Sequence, residues 1–277
     1  MLSRASLRYP GEWINLILAS IFGTIIFVGL STLTGGLCCL WGSLTIVIVI
    51  LWVQTENDHL KTLGLKVNDN NYSRIHSICK RAAQNLGIKL PRIYIDPSEE
   101  VNAYTRGVLF PAVILNQGLI DKMTDEEILF TVGHELGHVK LFHFTIKTLL
   151  GRTFLTLPWI LFIPLYIYRL LFLNGRLSRS MEYSADRAGL HACMNIRDSL
   201  STLVKLKYGK MDPTFFIDAS LPRKQIPLLF SGEILLDALR SHPKMIDRMR
   251  KLIIYSKHND IGWDPSVEWL VRRLEVQ

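Results

Sequence analysis

Two uncharged apolar runs, Trp13 to Leu30 and Leu37 to Val53, constrain this chain more than any other feature of it. Each approaches the ~20 residues that an α-helix needs to cross a hydrocarbon core. A cleaved leader would account for the first run alone, but that run is long for a leader and a second follows at once. The link Ser31 to Gly36 is short, small and polar, so residues 1–56 read as a transmembrane helical hairpin. Arg4 and Arg8 precede the first run, and the link holds no Lys or Arg. The positive-inside bias therefore puts both ends of the hairpin on the cytoplasmic side. Residues 57–277 then begin in the cytoplasm. A bacterial inner membrane fits this multi-pass arrangement best, and an organelle membrane would satisfy the same charge asymmetry.

Composition agrees with a membrane-associated chain and narrows its partners. Of 277 residues, 49% are apolar and the formal net charge is +8, which suits a protein lying against anionic lipid. A generic basic surface would give the same sum. No aromatic-plus-basic repeat points to nucleic acid. The four cysteines are Cys38, Cys39, Cys79 and Cys193, two of them adjacent inside an apolar run and none in a C-x-x-C pair. That pattern argues against a Cys-bound zinc and against a disulfide framework.

Past the hairpin, helical spacing of Ile75, Ile78, Ala82 and Leu86 predicts a helix over 72–86, stopped at Gly87. Short strands are expected at Arg92 to Ile95, Val101 to Thr105 and Ala112 to Asn116. Thr124 followed by Glu127 is a capping-box signature, and Asp125 and Glu126 favour the positive end of the helix dipole. The helix they open should run from about Asp125 to about Phe142. Further helices are expected over 178–190, 198–208, 231–240 and 243–255.

The helix from Asp125 carries His134-Glu135-Leu136-Gly137-His138. Residues four apart lie one turn above each other on one helix face. Two imidazoles so placed can reach one Zn²⁺ at about 2.0–2.1 Å, and Glu135 is positioned to act as general base on water. A catalytic zinc needs a third protein ligand and one open position. His143 is five residues beyond His138, which on a continuing helix turns it about 140° away; it reads as a surface or interfacial histidine. Glu182 is the better candidate. It shares a helix face with Asp186, so that one carboxylate could bind metal while the other accepts the remaining ring N–H of a liganding histidine. An ordinary solvated helix face is the plain alternative for that pair.

These pieces together resemble the HtpX-like, CAAX-prenyl-protease-type membrane zinc metallopeptidases, which are gluzincins. The resemblance runs from about residue 70 to 255 and includes the amino-terminal hairpin. It rests on four landmarks in order: Val101-Asn102-Ala103-Tyr104, the His134–His138 helix, Glu182 to Asp186, and Ser241-His242-Pro243 with Arg248 five residues on. It implies an α+β, mainly helical gluzincin-type domain with a small β-sheet over 57–277. It implies one zinc held by His134, His138 and Glu182, with Glu135 as general base. Asn102 would border the cleft and hold substrate backbone, and His242 would stabilise an oxyanion. As a bare residue, His242 reads as a helix cap before Pro243. Arg248 would orient carboxylates or face solvent. The implied activity is endopeptidase cleavage of membrane or membrane-associated proteins in quality control. The other readings are a processing peptidase for lipidated tails and a metal-binding scaffold or chaperone.

The chain departs from that pattern between the zinc helix and Glu182. HtpX-type members usually carry two full spans there, needing about 40 residues. Here the apolar stretch Leu149 to Leu173 is broken by Arg152, Pro158, Pro164 and Arg169. Since His138 and Glu182 must meet at one metal, both ends of the stretch lie on one side of the bilayer. Residues 144–175 are therefore expected to form a short re-entrant or interfacial hairpin, with Arg152, Arg169 and Arg176 snorkelling to headgroups, or two short tilted helices in a thinned bilayer.

Overall fold

A computed structural model of the chain describes residues 2–33, 65–107, 110–151, 175–208 and 244–268. Nine helices of the described residues and one four-stranded sheet build the fold. In chain order they are α1 (Arg4–Leu7), α2 (Pro10–Leu33), β1 (Leu65–Lys66), α3 (Ser73–Leu86), β2 (Arg92–Asp96), β3 (Ala103–Arg106), β4 (Ala112–Asn116), α4 (Gln117–Lys122), α5 (Asp125–Lys140), α6 (His143–Gly151), α7 (Ser178–Cys193), α8 (Ile196–Tyr208) and α9 (Met245–Asn259). This is an α+β, mainly helical arrangement.

Local chemistry sets the element ends. Ile75, Ile78, Ala82 and Leu86 are all buried along one face of α3. Gly87 stops that helix at φ 64°, a left-handed angle that glycine adopts without a Cβ penalty. The capping box of α5 forms in full: Thr124 N–H donates to Glu127 Oε2 at 2.9 Å, and Glu127 N–H to Thr124 Oγ1 at 3.3 Å.

The sheet has strand order β1-β2-β4-β3. β2 and β4 run parallel, Arg92 opposite Ala112 through Asp96 opposite Asn116, and the other pairs are antiparallel. All five β4 residues are buried, as expected for an interior strand with Val113, Ile114 and Leu115 at its centre. Among the described residues β3 pairs with β4 on one side only, which makes it an edge strand of this sheet. Its inner face lies over α5, where the Thr105 hydroxyl donates to Glu135.

Among the described residues the most extensive helix packing is between α5 and α7, across a seam of small residues. A Cβ added at Gly133 would lie 2.3 Å from the Ala192 Cβ, and one at Gly137 would lie 2.6 Å from the Ala188 Cβ. Both are far inside van der Waals contact, so only glycine at these positions allows the two backbones to approach as they do.

Three expectations change. The zinc helix ends at Lys140 rather than Phe142, because Phe142 takes a left-handed φ of 59° and α6 starts anew at His143. α2 continues to Leu33, so Ser31 to Leu33 are helical rather than part of a link. β1 and α4 are additional elements. The second apolar run, most of the 144–175 insertion, the helix expected over 231–240 and His242 lie outside the described residues.

Among the described residues, no helix is long and apolar enough to cross a membrane. α2 does expose a succession of large apolar side chains: Trp13, Ile14, Ile17, Ile21, Ile25 and Val28 are each at least half exposed. The segment ahead of it is anchored in the core. Leu7 is fully buried, Tyr9 N–H donates to Ser184 Oγ at 2.8 Å, and the Arg187 guanidinium donates to the Arg8 carbonyl at 2.9 Å.

Candidate metal centre

The α5–α7 seam brings two sets of i, i+4 side chains face to face. From α5 come His134 and His138; from α7 come Glu182 and Asp186. His134 Nε2 lies 3.2 Å from His138 Nε2 and 3.7 Å from Glu182 Oε2, and His138 Nε2 lies 3.6 Å from Glu182 Oε1. Ligands held tetrahedrally at about 2.0–2.2 Å stand roughly 3.3–3.6 Å apart. The two ring nitrogens and the Glu182 carboxylate, measured to one oxygen from each ring, are thus spaced much as the corners of a zinc coordination sphere.

The hydrogen bonds around the cluster agree with a cation at its centre. Asp186 Oδ1 lies 3.0 Å from His134 Nδ1. A carboxylate accepts, so Nδ1 carries a hydrogen, and the neutral ring presents a bare lone pair at Nε2 toward the cluster. Two imidazole lone pairs and a carboxylate oxygen converging within 4.8 Å repel one another unless a positive ion sits between them. Arg248 donates from Nε to Asp186 Oδ2 at 2.8 Å and from Nη2 to Oδ1 at 2.5 Å. That two-pronged bond fixes the carboxylate that fixes the ring.

Glu135, also on α5, sits beside the cluster. Its Oε2 accepts from the Thr105 hydroxyl at 2.7 Å, which ties it to the edge strand. Burial is the chief reason that its carboxyl lies above the ordinary range; His134 and Thr105 pull the other way. Burial also holds His138 well below its ordinary range. For His134 burial acts in the same direction, but the hydrogen bond and charge of Asp186 outweigh it and raise the ring. Burial would raise Asp186, yet Arg248 keeps it low and ionised.

Above these groups opens a cleft of ≈ 420 Å³ lined by Asn102, Thr105, His134, Glu135, His138 and Glu182, among others. Asn102 immediately precedes β3; its carbonyl accepts from Asn116 N–H at 3.1 Å, and its side chain is turned back onto Ala103 N–H at 2.9 Å.

A sequence model of Peptidase family M48 matches residues 69–254. The chain belongs to peptidase family M48. Individual relatives agree. Over 175 residues it is 31% identical to the plastoglobule-localized metallopeptidase 48 of Arabidopsis thaliana chloroplasts, covering 61% of this chain and 48% of that one. Over 78 residues it is 36% identical to a protease HtpX homolog of Sulfurovum, covering 27% of this chain and 28% of the relative. A longer match of 221 residues, at 22% identity, joins it to a protease HtpX homolog of Pelotomaculum thermopropionicum, with 69% and 79% covered. The matched stretch thus spans half or less of the first two relatives.

Within this M48 domain, the structure gathers His134, Glu135, His138, Glu182, Asp186 and Arg248 at one point and sets Asn102 at the mouth. His143 requires a correction. It is 1% exposed, and its Nδ1 lies 2.8 Å from His138 Nδ1. The expectation that it faces away assumed a continuous helix, and the left-handed Phe142 breaks that helix one residue earlier. Sequence reasoning also missed Thr105 and Glu12, which reach the centre only through the fold. The small-residue spacing Gly133/Gly137 against Ala185, Ala188, Gly189 and Ala192 was readable as a close helix crossing.

Proposed function

We propose that this M48 domain is a zinc-dependent endopeptidase that hydrolyses peptide bonds of membrane or membrane-associated proteins. The observation that carries the reading is the spacing of His134 Nε2, His138 Nε2 and Glu182 at 3.2–3.7 Å, beside Glu135 and open to a cleft. His134, His138 and Glu182 would hold the ion. When bound, zinc polarises the scissile carbonyl and brings the pKa of a water molecule down toward about 7. Glu135 takes the proton from the attacking water and returns it to the leaving amine. The Thr105 hydroxyl steadies the carboxylate for that transfer. Asp186 and Arg248 hold the His134 ring in the required tautomer. The unpaired side of β3 can bind an extended substrate by strand addition, with Asn102 at its start. His242 is assigned, on the family resemblance, to stabilising the oxyanion.

Membrane association rests on the exposed apolar face of α2, continued in sequence by the run Leu37 to Val53. A contiguous apolar surface of this kind marks an interaction with lipid or protein. Cleavage of membrane-embedded clients in quality control is the role that fits both features.

Metal analysis with a Glu135→Gln protein tests the activity. The variant should retain about one zinc per chain and lose casein or peptide cleavage by several orders of magnitude. Wild-type cleavage by Glu135→Gln, or full cleavage in the presence of a strong chelator, overturns the assignment.

A further inference from the structure

The metal centre has two histidines, and both need their outer ring nitrogen fixed. For His134 the partner is Asp186. For His138 the outer nitrogen meets His143, Nδ1 to Nδ1 at 2.8 Å, and no carboxylate among the described residues. The far nitrogen of His143, Nε2, lies 3.2 Å from Glu12 Oε1. Glu12 belongs to the first turn of α2, more than a hundred residues away in sequence. It is 0% exposed, and its carboxylate is also bound by the Arg8 guanidinium and by the Ser184 hydroxyl.

With both rings neutral, hydrogen bookkeeping along this line allows one arrangement. A carboxylate only accepts, so His143 carries its hydrogen on Nε2. A neutral His143 then offers a lone pair at Nδ1. His138 must fill it from its own Nδ1–H. That leaves His138 Nε2 bare and pointing to where Glu182 and His134 converge. The alternative tautomer of His138 would place a hydrogen where a metal ligand needs a lone pair.

We propose that Glu12 and His143 form a positioning relay that holds His138 in its metal-binding tautomer, making the amino-terminal segment part of the metal centre. The proposal rests on the zinc reading above and extends it. The two halves of the site then match in logic: Arg248, Asp186 and His134 on one side; Arg8, Glu12, His143 and His138 on the other. The second half is longer by one imidazole because Glu12 enters from the base of α2 rather than from α7. The strained Phe142 serves the same end, since only a break after α5 turns His143 back onto His138. Its ring lies under the Arg4 guanidinium, 4.5 Å from charge to centroid, so the break too is held from the amino-terminal segment. Zinc affinity therefore depends on how residues 4–12 are seated, and a displacement of α2 reaches the metal through hydrogen bonds alone.

The test uses the full chain and reads zinc affinity by chelator competition. His143→Leu removes the acceptor and should weaken zinc by about 10–100-fold. His143→Asn puts an amide oxygen near the place of Nδ1 and should recover most of that loss. Glu12→Met should weaken zinc in the otherwise wild-type chain and have no further effect when combined with His143→Asn, where the link to Glu12 is already cut. Unchanged affinity in His143→Leu overturns the relay. So does an Asn variant as weak as the Leu one, which would mean mere packing, or an equal Glu12→Met effect in both backgrounds. Should the variants not fold, nitrogen-15 histidine spectra of the wild type decide: His138 protonated on Nδ1 with His143 protonated on Nε2 supports the relay, and any other pattern overturns it. Absence of zinc from the wild type would refute the metallopeptidase reading separately, because the tautomer pattern can still be read from the metal-free protein.

Discussion

Replacing Gly137 by Ala adds one methyl group to the seam on which the metal centre depends. Its Cβ would lie 2.6 Å from the Ala188 Cβ and 3.2 Å from the Ala185 Cα, where ordinary contact begins at 3.4 Å. The obstructing atoms are backbone or are bonded directly to it, so no side chain can swing aside. α5 and α7 must separate by about 0.8 Å at this level. His138 is the next residue on α5, and Glu182 is on the opposing helix, so the separation acts on the 3.6 Å spacing between them. A misplacement near 1 Å at a reacting centre costs about 10²-fold in rate, and overpacking of this kind costs about 1–3 kcal/mol of stability. Helix propensity alone argues the other way, since Ala exceeds Gly by about 1 kcal/mol in a helix interior. Thermal unfolding of the metal-free protein and peptide cleavage at saturating zinc read the two effects. Combining Gly137→Ala with Ala188→Gly removes the colliding methyl and should restore much of the activity. A single variant that is as stable as wild type and cleaves at its rate would refute the packing argument.

Asp186→Asn should weaken zinc by about 10–100-fold, read by chelator competition, because it exchanges the charged acceptor of His134 Nδ1–H for a neutral amide and leaves Arg248 buried without the carboxylate that it grips from two nitrogens; wild-type affinity would contradict this. Glu127→Gln should cost about 1–2 kcal/mol at neutral pH, since Glu127 closes the cap of α5 and accepts from Ser201 at 2.6 Å and Lys205 at 2.7 Å. Burial would raise the Glu127 carboxyl, but Lys205 and Ser201 hold it below its ordinary value of 4.5. The stability it contributes is complete above that value and is lost as pH falls below it through the folded-state value; urea unfolding should show a flatter acid limb in the variant, and an unchanged limb would count against the assignment. Ile17→Lys with Ile21→Lys charges the exposed face of α2 and should reduce flotation with zwitterionic vesicles, where no lipid charge attracts the added lysines, while leaving zinc content unchanged; equal flotation would remove the case for lipid contact there.

Sequence legibility followed the range of the interactions involved. The Thr124–Glu127 cap and the His134–His138 pair are contacts within one helical turn, and spacing alone reveals them. Glu182 and Asp186 were readable as a pair for the same reason, and carboxylate chemistry made them candidates for the α5 histidines; the family resemblance favoured that over an ordinary solvated helix face. β1 and α4 escaped because two and six residues carry too little periodicity. His143 was misread because a bulky aromatic residue with φ 59° has no local signature; glycine or asparagine at 142 would have signalled the break. Glu12 and Thr105 were invisible for a different reason. Glu12 looks like an N-terminal helix charge favoured by the dipole, and only the docking of α2 against α6 and α7 shows that it serves His143. The glycines and alanines of the α5–α7 seam carried a readable sign, four-residue spacing on both helices, and they mark where the third ligand had to arrive.

The central claim is that His134, His138 and Glu182 bind one zinc ion. X-ray absorption at the zinc edge of the loaded full-length protein measures this directly. The account predicts only nitrogen and oxygen neighbours at about 2.0–2.2 Å with imidazole outer-shell scattering, lost in His138→Ala. Sulfur neighbours at about 2.3 Å, or a zinc signal unaltered by that substitution, would contradict it.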